Sequence, residues 1–154
     1  MFELPLFFVV SFSLHSRLSG SPDLTTTGLA TAITGGVLAL GGLSISLWSF
    51  YTTYRAGLIL STGHYVEEDH NLVTSGAYGF VRHPIYLGVF LVWLSLGIAF
   101  ESPGVLLLTM LYVVPAMLAY IRSEERMMLS EFGEEYRRYR DRVGMVVPHL
   151  HHSR

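Results

Sequence analysis

The chain has 154 residues, a formal net charge of −2 and a mean hydropathy of +0.44. Only 14% of the residues are charged, against about 25% in soluble domains, and this difference favours a membrane protein. The near-neutral charge argues against a nucleic-acid partner, which requires a basic face. The sequence contains neither cysteine nor lysine, which excludes disulfides, thiolate chemistry and a lysine nucleophile.

Four apolar segments predict a single-domain, all-α integral membrane protein with about four transmembrane helices. They cover approximately residues 2–18, 28–51, 84–100 and 103–121. The first lies near the lower limit of about 17 residues for a membrane span. A cleaved signal peptide is the alternative interpretation, but the segment lacks a basic leading region and a small-residue cleavage site, so we favour a span.

The second, third and fourth segments carry packing and turn signals. Segment 28–51 is rich in glycine and other small residues, which allow membrane helices to approach closely. Pro84 and Pro103 fit the first turn of a helix, where the missing N–H costs nothing. Only Glu101 and Ser102 separate the third segment from the fourth, which predicts a tight helical hairpin.

Two polar regions complete the chain, a loop at 52–83 and a predicted amphipathic helix at about 123–143, where apolar residues recur at spacings of three and four. With four spans, the loop and the C-terminal region lie on the same side of the membrane. That side carries Arg55, Arg82 and the seven arginines after residue 121, whereas the other side carries Arg17. Because positive charge favours the cytoplasmic side, we expect the loop and the C-terminal region on the cytoplasmic side. The membrane itself is expected to be the inner membrane of a prokaryote.

Arg82 and His83 directly precede Pro84, at the start of the third segment. The first turn of a helix has N–H groups without partners and the positive end of the helix dipole. Together with the guanidinium of Arg82, these groups favour a carboxylate or phosphate. The alternative interpretation is structural, with Arg82 reaching to the membrane surface and His83 capping the helix.

Glu124 and Glu125 follow the fourth segment. Because the third and fourth segments are antiparallel neighbours, the two glutamates are predicted to meet Arg82 and His83. Adjacent helical residues point about 100° apart, so only one glutamate can face Arg82 and the other can serve a second group. The alternative is a solvated helix start.

Tyr78 and Tyr86 flank the arginine-histidine motif and predict aromatic walls for a flat or cationic ligand, or else simple anchoring at the membrane interface. Metal binding is not expected. His64 and His70 are six positions apart in a predicted loop, without the helical histidine pair typical of metal sites.

Three stretches occur in the order and at the spacing of a known family. They are HNLVTSGAY at 70–78, RHPIYLG at 82–88, and Glu124-Glu125 followed by FGEEY at 132–136, Tyr139, Val143 and Pro148. Over about residues 50–148, the chain therefore resembles the isoprenylcysteine carboxyl methyltransferases and their relatives, the phospholipid N-methyltransferases. It departs from many members in having Ala77 instead of proline.

The resemblance implies an integral membrane enzyme that uses S-adenosylmethionine. It implies a cofactor pocket lined by His70, Asn71, Leu72, Val73, Tyr78, His83, Pro84, Ile85, Tyr86 and one of Glu124 and Glu125. The substrate is expected to be a lipophilic carboxylate, amine or thiol that enters from the membrane lipids. Arg82 and Arg122 are the candidates to hold an anionic group of this substrate. Glu125 is the candidate base for an amine acceptor, so Arg82 and Glu125 are the predicted catalytic residues.

Two other functions are compatible with the sequence. Membrane reductases of the sterol reductase type use NADPH and share an Arg-His-Pro-x-Tyr-x-Gly-like segment, although they commonly carry asparagine where this chain has Ile85. A non-enzymatic membrane scaffold, with its amphipathic helix lying on the bilayer, is the second alternative. The sequence does not predict an oligomeric state.

Overall fold

The computed structural model describes residues 26–56 and 72–149. Within these ranges the protein is helical and contains no strand, which confirms the predicted all-α class. The span predicted at 2–18 and the predicted cofactor residues His70 and Asn71 lie outside the described residues.

The described parts of the chain contain helices, one 3₁₀ turn and one π-helical turn. In chain order they are α1 (Thr26–Arg55), a 3₁₀ turn (Gly76–Gly79), α2 (Pro84–Ala99), α3 (Pro103–Leu108), a π-helical turn (Thr109–Val113) and α4 (Val114–Arg142). α3, the π-helical turn and α4 follow one another directly and together cover the 40 residues Pro103–Arg142. Both predicted proline starts, at Pro84 and Pro103, are therefore confirmed.

Among the described residues, two helices are long and apolar enough to cross a membrane, Gly28–Arg55 and Pro103–Arg142. α2 is also apolar, but its 16 residues extend for about 24 Å at the usual rise per residue, less than the roughly 30 Å of a bilayer core. Large apolar side chains along α1 are exposed, which suits contact with lipid. The second and fourth predicted spans thus have the required length, and the four-span architecture stays a prediction.

The residues predicted as a separate amphipathic helix, 123–143, continue directly from the fourth predicted span. No helix-breaking residue lies between Ile121 and Ser123, so nothing ends the helix there. The π-helical turn ends at Val113, two residues before Pro115, which has no N–H for the Leu111 carbonyl. The backbone leaves helical geometry once more, at Gly133.

The chain divides into two compact units. Among the described residues, the first unit comprises 26–43 and 89–118 and contains the predicted hairpin turn. The N–H groups of Glu101 and Ser102 donate to the carbonyls of Ile98 and Gly97 at 3.1 and 2.9 Å, the pattern of a Schellman motif. The Ser102 side chain then accepts from the Val105 N–H at 3.4 Å. Residues 101 and 102 thus close a tight hairpin, as predicted.

Close helix packing occurs in this unit at Gly35. A Cβ atom at this position would lie 2.5 Å from the Cβ of Ala99, so only glycine fits. At Gly36 and Gly41 no such neighbour lies within 4 Å. Of the three glycines Gly35, Gly36 and Gly41, only Gly35 thus shows the close helix approach that the small residues of 28–51 predict.

The second unit comprises residues 44–56, 72–88 and 119–149 of the described chain. Here the segment after α4 pairs with the segment before α2 through a parallel bridge between Val81 and Gly144. The N–H groups of Arg82 and His83 donate to the carbonyls of Gly144 and Met145 at 2.8 and 3.0 Å. This unit contains every described residue of the candidate site discussed below.

Candidate active site

Arg82 and Glu125 form a buried ion pair. Nε and Nη2 of Arg82 donate to Oε1 of Glu125 at 2.9 and 2.6 Å, and the two side chains are only 6% and 12% exposed. The partners are 43 positions apart in the sequence, so the pair depends on the fold rather than on local geometry. It confirms the prediction that the start of α2 meets the paired glutamates.

The other end of the Arg82 guanidinium faces backbone. Its Nη1 donates to the carbonyl of Arg140 at 3.0 Å and to the carbonyl of Val143. Together with the two bonds to Glu125, four of its five N–H donors are used. The predicted contact of Arg82 with a substrate stays a prediction.

Glu124 faces a different partner from Glu125. The Tyr86 hydroxyl donates to its Oε1 at 2.5 Å, and its Oε2 lies 3.6 Å from Nδ1 of His83. The Glu124 side chain is 40% exposed, against 12% for Glu125. The two glutamates thus bond to different side chains, as their angular separation on a helix predicts, although both lie near His83. Glu124 is the more exposed of the two.

His83 lies between the two glutamates. Its Nε2 is 3.4 Å from Oε1 of Glu125, and its ring centre is 5.8 Å from that of Tyr86. The His83 carbonyl accepts from the Leu87 N–H at 3.1 Å, as the residue before a helix does. His83 is buried at the start of α2, directly before the buried Pro84 and the half-buried Ile85.

Tyr78 belongs to the 3₁₀ turn and is half buried. Burial, and secondarily the negative charge of Glu124, raises the pKa of the Tyr78 phenol above its ordinary value. The phenol therefore stays neutral. Among the described residues, direct contacts join His83, Tyr86 and Glu124, and Tyr78 lies in the 3₁₀ turn before them.

Three predicted residues remain among those that the structure describes. Leu72 and Val73 are half buried in the non-helical segment before the 3₁₀ turn, and Arg122 is exposed on α4. Their predicted roles in binding stay predictions.

The sequence assigned no role to several groups that hold this site together. The buried Tyr139 donates its hydroxyl to the Tyr78 carbonyl at 2.7 Å, and Tyr136, also buried, interacts with Arg82. Tyr136 and Tyr139 did occur in the third motif, which was the available signal. No sequence signal identified the carbonyls of residues 140–145, because every residue type has a backbone carbonyl.

Comparisons with known proteins show where this arrangement belongs. Residues 30–135 match the family model described as phospholipid methyltransferase. Protein-S-isoprenylcysteine O-methyltransferase of Saccharomyces cerevisiae is 34% identical over 86 residues, which are 54% of this chain and 35% of that protein. Methanethiol S-methyltransferase 1 of Bradyrhizobium diazoefficiens is 32% identical over 130 residues, 82% of this chain and 43% of that protein.

A third relative has a different kind of name. The cobalt-zinc-cadmium resistance protein CzcN of Cupriavidus metallidurans is 32% identical over 142 residues, 92% of this chain and 61% of that protein. The chain thus spans 35% to 61% of the length of these three relatives. The family match includes α2, Arg82, His83 and both glutamates, and it confirms the resemblance seen in the motifs: the chain belongs to the phospholipid methyltransferase family.

Proposed function

We propose that the protein is a membrane-embedded methyltransferase that uses S-adenosylmethionine to methylate a lipophilic acceptor at the cytoplasmic face of the membrane. The observation that carries the proposal is the half-exposed Glu124 carboxylate, joined to Tyr86 and His83 at the start of an apolar helix. Two relatives named as O- and S-methyltransferases support methyl transfer as the reaction class.

The residues present fit the chemistry of this cofactor. S-adenosylmethionine has a sulfonium cation, an ammonium group, a carboxylate and an adenosine. The partly exposed Glu124 can accept from an ammonium or ribose hydroxyl, and the rings of Tyr78 and Tyr86 suit a cation. The N–H groups in the first turn of α2 suit the carboxylate. The cofactor supplies an activated methyl group.

The family resemblance supplies the rest of the pocket. Pro84 and Ile85 would extend it along α2, and Leu72 and Val73 would border it from the segment before the 3₁₀ turn. His70 and Asn71 would complete it. These assignments rest on the three sequence motifs.

The acceptor side is proposed to open toward lipid. Arg122 is exposed on α4, three positions before Glu125, and would hold an anionic group of the acceptor. Methyl transfer is a direct displacement, so alignment of acceptor and donor provides much of the acceleration. A carboxylate acceptor needs no base. An amine acceptor must lose a proton, which Glu125, the predicted base, or the more accessible Glu124 would accept.

Cofactor binding is the direct test. The purified chain in lipid nanodiscs is titrated in a calorimeter with S-adenosylhomocysteine and, separately, with NADPH. Binding of S-adenosylhomocysteine and not of NADPH is expected. Binding of NADPH alone would identify a reductase, and binding of neither would favour a scaffold.

The acceptor requires a second experiment. Native membrane lipids are incubated with the protein and methyl-labelled S-adenosylmethionine and then analysed by mass spectrometry. A labelled lipophilic carboxylate, amine or thiol is expected. Controls lack the protein, and the absence of any label above these controls contradicts methyl transfer to a membrane acceptor.

A further inference from the structure

Arg82 connects the start of α2 with the end of α4. The carbonyls of Arg140 and Val143, which accept from its Nη1, belong to the last turn of α4 and the residue after it, where helix carbonyls lack intrahelical partners. A cation is favourable at this negative end of the helix dipole. The guanidinium therefore caps α4 from a distant part of the chain while its other edge binds Glu125.

The backbone after α4 makes a second connection to the same place. The N–H groups of Arg82 and His83 are the last two before Pro84, and the carbonyls of Gly144 and Met145 accept from them. A Cβ atom on Gly144 would collide with the carbonyl oxygen of Val147. Only glycine lets the chain turn here and keep both bonds.

A third connection reaches the 3₁₀ turn, where the Tyr139 hydroxyl donates to the Tyr78 carbonyl. Each of three residues of the proposed cofactor pocket is thus attached to the end of α4. Tyr78 is attached through its carbonyl and His83 through its N–H. Glu124 is attached through its neighbour Glu125, which Arg82 holds.

We propose that Arg82, Tyr139 and residues 143–145 form a clamp that positions Tyr78, His83 and Glu124 for the ligand. Arg82 is then a positioning residue and not a ligand of the substrate. The identity of the ligand rests on the proposed function; the existence of the clamp does not. The role requires arginine, because a planar fork can bond Glu125 with one edge and two carbonyls with the other, whereas a lysine ammonium is a point donor.

Two substitutions test the clamp from opposite sides. Arg82→Lys removes the planar guanidinium and keeps the positive charge. Gly144→Ala displaces the backbone after α4 and leaves the guanidinium intact. Arg126→Lys is the matched control, an exposed arginine on α4 next to Glu125. The readouts are hydrogen exchange at the amides of Arg82 and His83, and calorimetric affinity for S-adenosylhomocysteine without any acceptor.

Both clamp variants are expected to accelerate exchange at the two amides and to weaken S-adenosylhomocysteine binding by about tenfold, which corresponds to about 1.4 kcal/mol of binding free energy. The control is expected to match the wild type. Should Arg82→Lys fail to fold, Gly144→Ala still carries the test. In the wild type both amides are expected to be protected, and rapid exchange there overturns the clamp.

Two further outcomes contradict the proposal. One is that, in both variants, hydrogen exchange at both amides is as slow as in the wild type. The other is unchanged S-adenosylhomocysteine affinity in Arg82→Lys, with the loss confined to the KM of a carboxylate acceptor and absent for a thiol acceptor, which would make Arg82 a substrate ligand. If the wild type does not bind S-adenosylhomocysteine at all, the proposed function fails, and the exchange measurements still decide whether the clamp exists.

Discussion

Two helices of this protein begin with a proline, and their starts are completed in different ways. At Pro103 the bonding partners are close in the sequence, because the Ser102 side chain accepts from the Val105 N–H three residues later. At Pro84 the preceding residues bind groups far along the chain, with Glu125 and Val143 lying 43 and 61 positions from Arg82. The first start needs only its neighbours, whereas the second needs the fold of a whole unit.

The difference separates a helix start with local partners from the one that carries the proposed site. A helix start requires acceptors for its first N–H groups, and a single serine supplies one of them at α3. Arg82 and Glu125 go beyond this requirement, since a buried ion pair adds little net stability over apolar residues of similar size. Charge retained at such a place points to a role in binding, which is why the start of α2 carries the proposed site.

The largest effect is expected when Arg82 is removed from the distant network. Arg82→Ala leaves Glu125 buried without its partner and two carbonyls without a donor, a change that should lower the free energy of unfolding by about 3–5 kcal/mol. Chemical denaturation in detergent micelles measures it. Arg138→Ala, at an exposed position of α4, is the control and should change little. Equal stability of the two variants would show that the pair contributes nothing to the fold.

A smaller effect, in binding rather than stability, is expected at the more accessible glutamate. Glu124→Gln keeps the shape of the side chain and removes its charge, so affinity for S-adenosylhomocysteine should fall about tenfold, or about 1.4 kcal/mol. Because Glu124 is 40% exposed, stability should be nearly unchanged. Glu131→Gln, at an exposed position of the same helix, is the control. Full affinity in Glu124→Gln, with a loss in Glu125→Gln, would reverse the roles assigned to the two glutamates.

The sequence predicted those features of the fold and site that have local causes. Helix starts at Pro84 and Pro103 follow from the missing N–H, and the turn at Glu101 and Ser102 follows from the lack of intervening residues. The meeting of Arg82 with the paired glutamates was predictable because a tight hairpin leaves no other arrangement.

Other features could not be predicted, for physical reasons. The sequence gives the angle between Glu124 and Glu125 but not the rotation of α4, so it could not say which of them faces Arg82. It also could not reveal the bonds to the Gly144 and Met145 carbonyls, which any residue could offer. The uninterrupted helix through Ile121 was missed because a change in polarity was interpreted as an end, although no residue there disfavours a helix.

The smallest effect is expected at the locally completed start. Ser102→Ala removes the side-chain oxygen that accepts from Val105 and should lower the free energy of unfolding by about 1 kcal/mol, the usual effect of losing such a cap. Affinity for S-adenosylhomocysteine should remain at the wild-type value, because Ser102 and Val105 bond to each other and neither belongs to the proposed site. Parallel denaturation and calorimetry measure both quantities, with Ser102→Thr, which retains a hydroxyl, as the conservative control. The contradicting outcome is a loss of S-adenosylhomocysteine affinity as large as that expected for Glu124→Gln. It would mean that the helix start at Pro103 affects binding at the helix start at Pro84.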